Sequence, residues 1–163
     1  MGEVGAERWV RVMDANAKSN FGYTERGAGR DEIPDGFVLV EPNSPFRKTF
    51  GPLYERIEGA SFVRAFRVDE HHKNINSVAH GGALASFADM LLARALRWEL
   101  DRYGVTVRLV TDYLGPAKFG DWVEGRSWIT GGGNTVAFVT GQGHVGDRPV
   151  FSATAIFRMK RQR

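Results

Sequence analysis

The 163-residue chain contains no cysteine, which excludes disulfides, thiol nucleophiles and cysteine-based metal sites. No apolar run approaches the ~20 residues that cross a bilayer. The longest, Ala83 to Leu96, is too short and is interrupted by Asp89 and Arg94. The opening residues, MGEVGAERWV, lack the basic-then-apolar layout of a secretory signal, so a cytoplasmic protein is expected. Internal repeats and nucleic-acid motifs are missing, and no Ser sits in the G-x-S-x-G elbow that a Ser-His-Asp hydrolase would need. The net charge is small, +3 with a pI near 9.4, and the tail FRMKRQR carries much of it. A solvated basic tail is the simplest reading.

What remains is the composition of an ordinary globular domain: 42% hydrophobic and 25% charged residues in a chain long enough to bury a core. Residues 1–55 combine a helical candidate, Glu7 to Lys18, with Gly- and Pro-rich stretches such as YTERGAGRDEIPDG and EPNSPF. They are expected to wrap the core as part of the same domain, whose main body is residues 56–163. SFVRAFRV alternates as a strand, with Phe62, Arg64, Phe66 and Val68 on one face. A long helix follows from Gly82 to about Asp101, with Gly104 as its expected stop. After it the pattern is all strand: VTVRLVTDYLGPA, then DWVEGRSWIT and TVAFVTGQGHV joined by GGGN, then VFSATAIFRMK. GGGN precedes a strand and lacks a P-loop Lys, so it reads as a hairpin turn rather than a phosphate cradle. The class is α+β, an antiparallel sheet packed on one helix. That helix is apolar around most of its circumference, so a second surface, expected to be another copy of the chain, should cover what the sheet does not.

Within NINSVAHGGALASFADMLLARAL, Asp89 stands out. Asp is about 0.7 kcal/mol worse than Ala in a helix interior, and desolvating a carboxylate costs several kcal/mol. Its i−4 and i+4 neighbours are Ala85 and Ala93, so no cation one turn away neutralises it, and Arg94 and Arg97 project elsewhere. The small side chains leave room for a ligand or another backbone. At the start of the same helix, His80-Gly81-Gly82 allows close approach to the free N–H groups of the first turn, which suit a developing oxyanion. Gly81 and Asp89 are eight residues apart, or about 12 Å along the axis, too far to share one carbonyl within a chain. Two helices packed antiparallel about a two-fold axis would bring the start of one beside the middle of the other, giving two sites per dimer.

The segment N-x-x-x-x-x-H-G-G-x-x-x-x-x-x-D, Asn74 to Asp89, resembles the signature of hotdog-fold acyl-CoA thioesterases of the phenylacetate-degradation and thioesterase-superfamily-member type. The likeness continues through TDYLGPAKFGD and covers about residues 60 to 160. The resemblance implies a hotdog fold, hydrolysis of an acyl-CoA thioester to a free acid and CoA, no cofactor beyond the CoA of the substrate, and assembly as a dimer or tetramer. It implies Asp89 as general base or nucleophile, Gly81 as donor to the thioester carbonyl, Asn74 as a substrate-polarising group, and Thr106 as a group that orients water. His80 and Gly82 would support substrate binding, His80 by holding the loop. Two positions depart from the pattern. Ser77 stands where the family often has Gly, which bears on the loop path, and Ala93 stands where one branch has Thr.

Other constellations are weaker. His71, His72 and His80 have no metal-pair spacing, so no metal is expected. Trp122, Trp128, Phe138 and Phe151 fall on strands and are expected in the core, and Lys118, Arg158 and Lys160 are expected on the surface rather than at CoA phosphates. Neither a nucleic acid nor a membrane is an expected partner. Two other functions fit the resemblance: a hotdog dehydratase or hydratase, which would require His80 as an essential acid-base, and a non-catalytic acyl-CoA-binding domain.

Overall fold

The computed structural model describes residues 32–159, so the helical candidate Glu7 to Lys18 and Lys160 lie outside the described residues. The order is β1 (Val38–Val40), α1 (Pro45–Phe50), β2 (Leu53–Glu58), β3 (Ser61–Arg67), a 3-10 turn (Glu70–His72), α2 (Gly81–Leu100), β4 (Gly104–Tyr113), β5 (Trp122–Gly132), β6 (Val136–Val145) and β7 (Arg148–Met159). The strands form one antiparallel sheet in the order β1-β2-β3-β5-β6-β7-β4. This is the α+β hotdog arrangement that the family resemblance implies, with β1 and β4 at the edges. No helix among the described residues is long and apolar enough to cross a membrane.

Helix α2 lies on one face of the sheet, over β4 to β7. Its buried residues, Leu84, Phe87, Ala88, Leu91, Leu92, Ala95 and Leu96, recur at helical spacing. Burying each large member stabilises the fold by about 1.5–3 kcal/mol. The sheet makes room with glycine: a Cβ on Gly125 would stand 2.6 Å from Leu91 Cδ2, and one on Gly143 would overlap the Phe151 ring. The GGGN segment is the β5–β6 turn, as its composition suggests. The helix stop lies three residues before Gly104. Asp101 takes the left-handed conformation at φ 51°, the Arg102 N–H reaches the Leu96 carbonyl at 3.1 Å, and Gly104 opens β4.

The stretch read as Gly- and Pro-rich loop contains structure. Ser44 caps α1, its hydroxyl accepting from Arg47 N at 3.3 Å, and Pro45 occupies the first helical position, where its missing N–H costs nothing. Strand β2 escapes a period-two reading because the residue that follows buried Leu53 on the same face is Glu55. Strand β3 is buried on both faces: Phe62 and Phe66, with Val68 just past the strand, join the main core, while Val63 and Ala65 join Phe37 in a second cluster on the outer face. Trp122 packs edge-on against Phe37 in that cluster. Phe151 is fully buried, but Trp128 and Phe138 are 42% and 46% exposed, which corrects their expected place in the core. They alternate out of phase with the helix-facing glycines.

Glu55 is the hub of a buried ion network. It accepts from Arg64 Nε at 3.0 Å and from Arg94 Nε and Nη2 at 2.9 Å each, while Arg64 Nη1 donates to the Met90 carbonyl at 3.2 Å. Burial alone would raise the Glu55 carboxyl pKa, but the two guanidiniums outweigh it and hold it below its ordinary value. Arg64 is only 9% exposed. Removing the carboxylate leaves that charge buried without its partner, so Glu55→Ala should cost about 3–5 kcal/mol, read from urea unfolding. A loss below about 1 kcal/mol, the range of exposed pairs, would show the network to be solvated.

Candidate active site

Residues 73–80 approach helix α2 as a tightly bonded loop. Asn74 N–H donates to the Val78 carbonyl at 2.8 Å, and its side-chain oxygen accepts from Asn76 N at 2.8 Å. The Pro-Ala-Lys segment after β4 braces the loop from outside: Ala79 N donates to Ala117 O at 2.7 Å and Phe119 N to Ser77 O at 3.2 Å. Ser77 has φ 56°, the left-handed conformation that Gly adopts freely. The departure from Gly at this position therefore occurs at a left-handed residue, where serine is strained.

The imidazoles hold this loop. His80 N–H donates to the His72 carbonyl at 2.7 Å, and His80 Nδ1 accepts the Gly82 N–H at 2.8 Å, capping α2. His71 and His72 both direct Nε2 at the Phe50 carbonyl, at 2.8 and 2.7 Å, and His72 Nδ1 accepts from Asp69 N at 3.0 Å. His72 is thus neutral and buried, and burial pushes its pKa below the ordinary histidine value. Because Gly82 spends its N–H on His80, it does not present that donor to a ligand. The Gly81 N–H meets no acceptor among the described residues. Asn74, Ser77 and His80, with Glu70, Lys73 and Ile75, line an open cleft of about 700 Å³. The Asn74 side-chain oxygen is committed to the loop, so its amide NH2 is the half able to donate outward.

Asp89 lies further along α2, half-buried, on the flank facing β4. Its Oδ1 accepts from Thr106 Oγ1 at 2.7 Å. No cation pairs with it among the described residues: Arg94 is taken by Glu55, and Arg97 by Asp101. The two residues singled out from sequence thus meet, through an irregularity the sequence does not advertise. Thr106 pairs with Phe157 and Leu109 with Ala155, so both face the helix although three positions apart. Residue 107 is the extra residue of a β-bulge between Thr106 and Arg108. In a regular strand Thr106 would point to the outer face. One contact was not anticipated: Tyr113, at the far end of β4, donates its hydroxyl to the Gly81 carbonyl at 2.8 Å. Lys118 and Arg158 are exposed, as expected.

Known proteins similar to this chain share the fold described above. The family described as Thioesterase superfamily matches residues 76–152. A Pseudomonas aeruginosa protein named as a putative esterase is 35% identical over 130 residues, 78% of this chain and 97% of that protein. Among solved structures, zebrafish thioesterase superfamily member 2 superposes with a TM-score of 0.66 at 23% identity, over 72% of this chain and 89% of that one. A Streptococcus pneumoniae hypothetical thioesterase, solved with coenzyme A, gives 0.63 at 22% identity, over 70% and 93%.

Two predictions follow from the loop. In the unfolded chain His72 protonates near pH 6.5, whereas the buried native ring resists protonation. Its contribution to stability is therefore complete above that pH and declines as pH falls below it. Urea midpoints should drop on acidification, and His72→Gln should flatten the drop; an unchanged slope would place the effect elsewhere. The strain at Ser77 is roughly 1–2 kcal/mol, and a Gly there gives back roughly 0.5–1 kcal/mol through unfolded-state entropy. Ser77→Gly should therefore raise stability modestly, seen as a higher melting midpoint.

Proposed function

Because the chain belongs to the thioesterase superfamily, we propose that it hydrolyses acyl-CoA thioesters to a carboxylic acid and CoA. The observation that carries this reading is the half-buried Asp89 carboxylate, unpaired with any cation among the described residues and oriented by the Thr106 hydroxyl. In one route Asp89 takes a proton from water as the water oxygen adds to the thioester carbon. The tetrahedral oxyanion is met by the Gly81 N–H, where the helix dipole adds to the stabilisation. Collapse breaks the C–S bond, and the proton passes from Asp89 to the departing CoA thiolate. In the other route the carboxylate attacks directly, the thiolate leaves, and water cleaves the resulting anhydride. In both, Thr106 donates to Asp89 and keeps lone pairs with which to hold water, and the Asn74 NH2 helps hold the thioester.

The site needs two copies, since Gly81 and Asp89 are about 12 Å apart along one helix. Support for pairing comes from β4, an edge strand whose outward Val105 and Val107 are 62% and 65% exposed. The outward strip of α2, with Gly82, Ser86 and Ala93, is built of small residues that let a second helix come close. In the proposed dimer, or a tetramer of such dimers, Asp89 and Thr106 of one chain face Gly81 of the other. His80, whose Nδ1 is spent on Gly82, serves as a cap, which favours hydrolysis over a His-dependent dehydratase.

Thiol release should be measured over short, long and aryl acyl-CoA compounds. At least one should be turned over, and Asp89→Asn should lower kcat by about 100-fold or more, with sedimentation showing a dimer or larger. Acyl-CoA binding without thiol release from any compound would sink the hydrolase reading in favour of a binding protein.

A further inference from the structure

The start of α2 combines two properties that work against each other. Consecutive glycines allow a substrate close to the backbone, yet glycine has the greatest conformational freedom of any residue and costs about 1 kcal/mol relative to Ala in a helix. An oxyanion donor must be fixed before the charge develops. We propose that Tyr113 is the positioning residue that fixes it, an inference that rests on the reading of Gly81 as that donor.

Three hydrogen bonds restrain the turn from outside the helix ladder. His80 N–H to His72 O, at 2.7 Å, holds the approach, and Gly82 N–H to His80 Nδ1, at 2.8 Å, holds the residue beyond. The Tyr113 hydroxyl, at 2.8 Å from the Gly81 carbonyl, is the one that grips Gly81 itself. The ring adds a steric restraint. A Cβ on Gly81 would stand 3.2 Å from Tyr113 Cζ and 3.3 Å from its Oη, so a side chain there would crowd the ring. Gly81 is therefore pressed against a flat wall and tethered to it.

Register makes this more than a local contact. Tyr113 pairs with Phe151 and Thr106 with Phe157, both helix-facing residues of β7, so both β4 side chains share the inner face. A single strand thus sets the carboxylate at one end and the amide donor at the other. In the proposed dimer each site would take Gly81 with Tyr113 from one chain and Asp89 with Thr106 from its partner.

The test is Tyr113→Phe, which keeps the ring and deletes the hydroxyl, with two readouts. Amide hydrogen exchange in the first turn of α2, Gly82 to Ala85, should quicken about fivefold, the worth of one hydrogen bond, while amides around Leu91 to Leu96 stay unchanged. With a substrate the wild type turns over, kcat should fall about tenfold, with KM within twofold and a melting midpoint lowered by only about 2–4 °C, the worth of the same bond. Unaltered first-turn exchange would overturn the clamp whatever the activity. Faster exchange with wild-type kcat, or a kcat loss accompanied by a larger drop in the melting midpoint, would overturn the positioning role. A wild type that releases no thiol would sink the hydrolase reading, and the exchange data would still accept or reject the clamp.

Discussion

The seating of helix α2 on a glycine-floored sheet is the constraint from which the rest of the molecule follows. Phe87, Leu91 and Leu92 are fully buried because Gly125 and Gly141 leave the sheet surface without side chains beneath them, and Gly143 leaves room for the buried Phe151 ring. Close-packed interiors do not tolerate small displacements cheaply. The depth and rotation of the helix are therefore set by shape, and with them the flank on which Asp89 sits and the direction in which the first-turn amides emerge.

Polar groups complete what packing begins, on two sides of the same helix. Towards β2 and β3, Arg94 is locked by Glu55, and Arg64 reaches back to the Met90 carbonyl. Towards β4, Thr106 and Tyr113 supply neutral hydroxyls to Asp89 and Gly81. The division has a chemical logic. The cations are satisfied on the far flank, and none pairs with the carboxylate on the near flank among the described residues. In the proposed reaction, a guanidinium beside Asp89 would make it a poorer base.

Much of this was legible in the chain because the physics is periodic. The long helix follows from apolar spacing, the last four strands from alternation, the β5–β6 hairpin from GGGN, and the odd carboxylate from the small residues around it. Other features depend on partners remote in sequence. Strand β2 hides because Glu55 looks like a surface residue until Arg64 and Arg94 arrive beside it. Helix α1 is short, and its Ser44-Pro45 start has the same composition as loop punctuation. The helix stop fell at Asp101, a non-glycine residue able to enter the left-handed region. Trp128 and Phe138 looked like core on hydrophobicity alone, and their outward phase is set by pairing. Tyr113 carried no signal of its own, because its contact with Gly81 spans 32 positions.

The bulge at residue 107 has a bearing on what the edge of this sheet can do. An unpaired strand is a template on which further strands can add without limit, and natural proteins blunt such edges with irregularities. Strand β4 carries exposed valines and would be a hazard if it were regular. The extra residue interrupts its hydrogen-bonding rhythm and increases its local twist. Few alignments of an incoming strand can then satisfy the exposed backbone, so one inserted residue works against a growing ribbon.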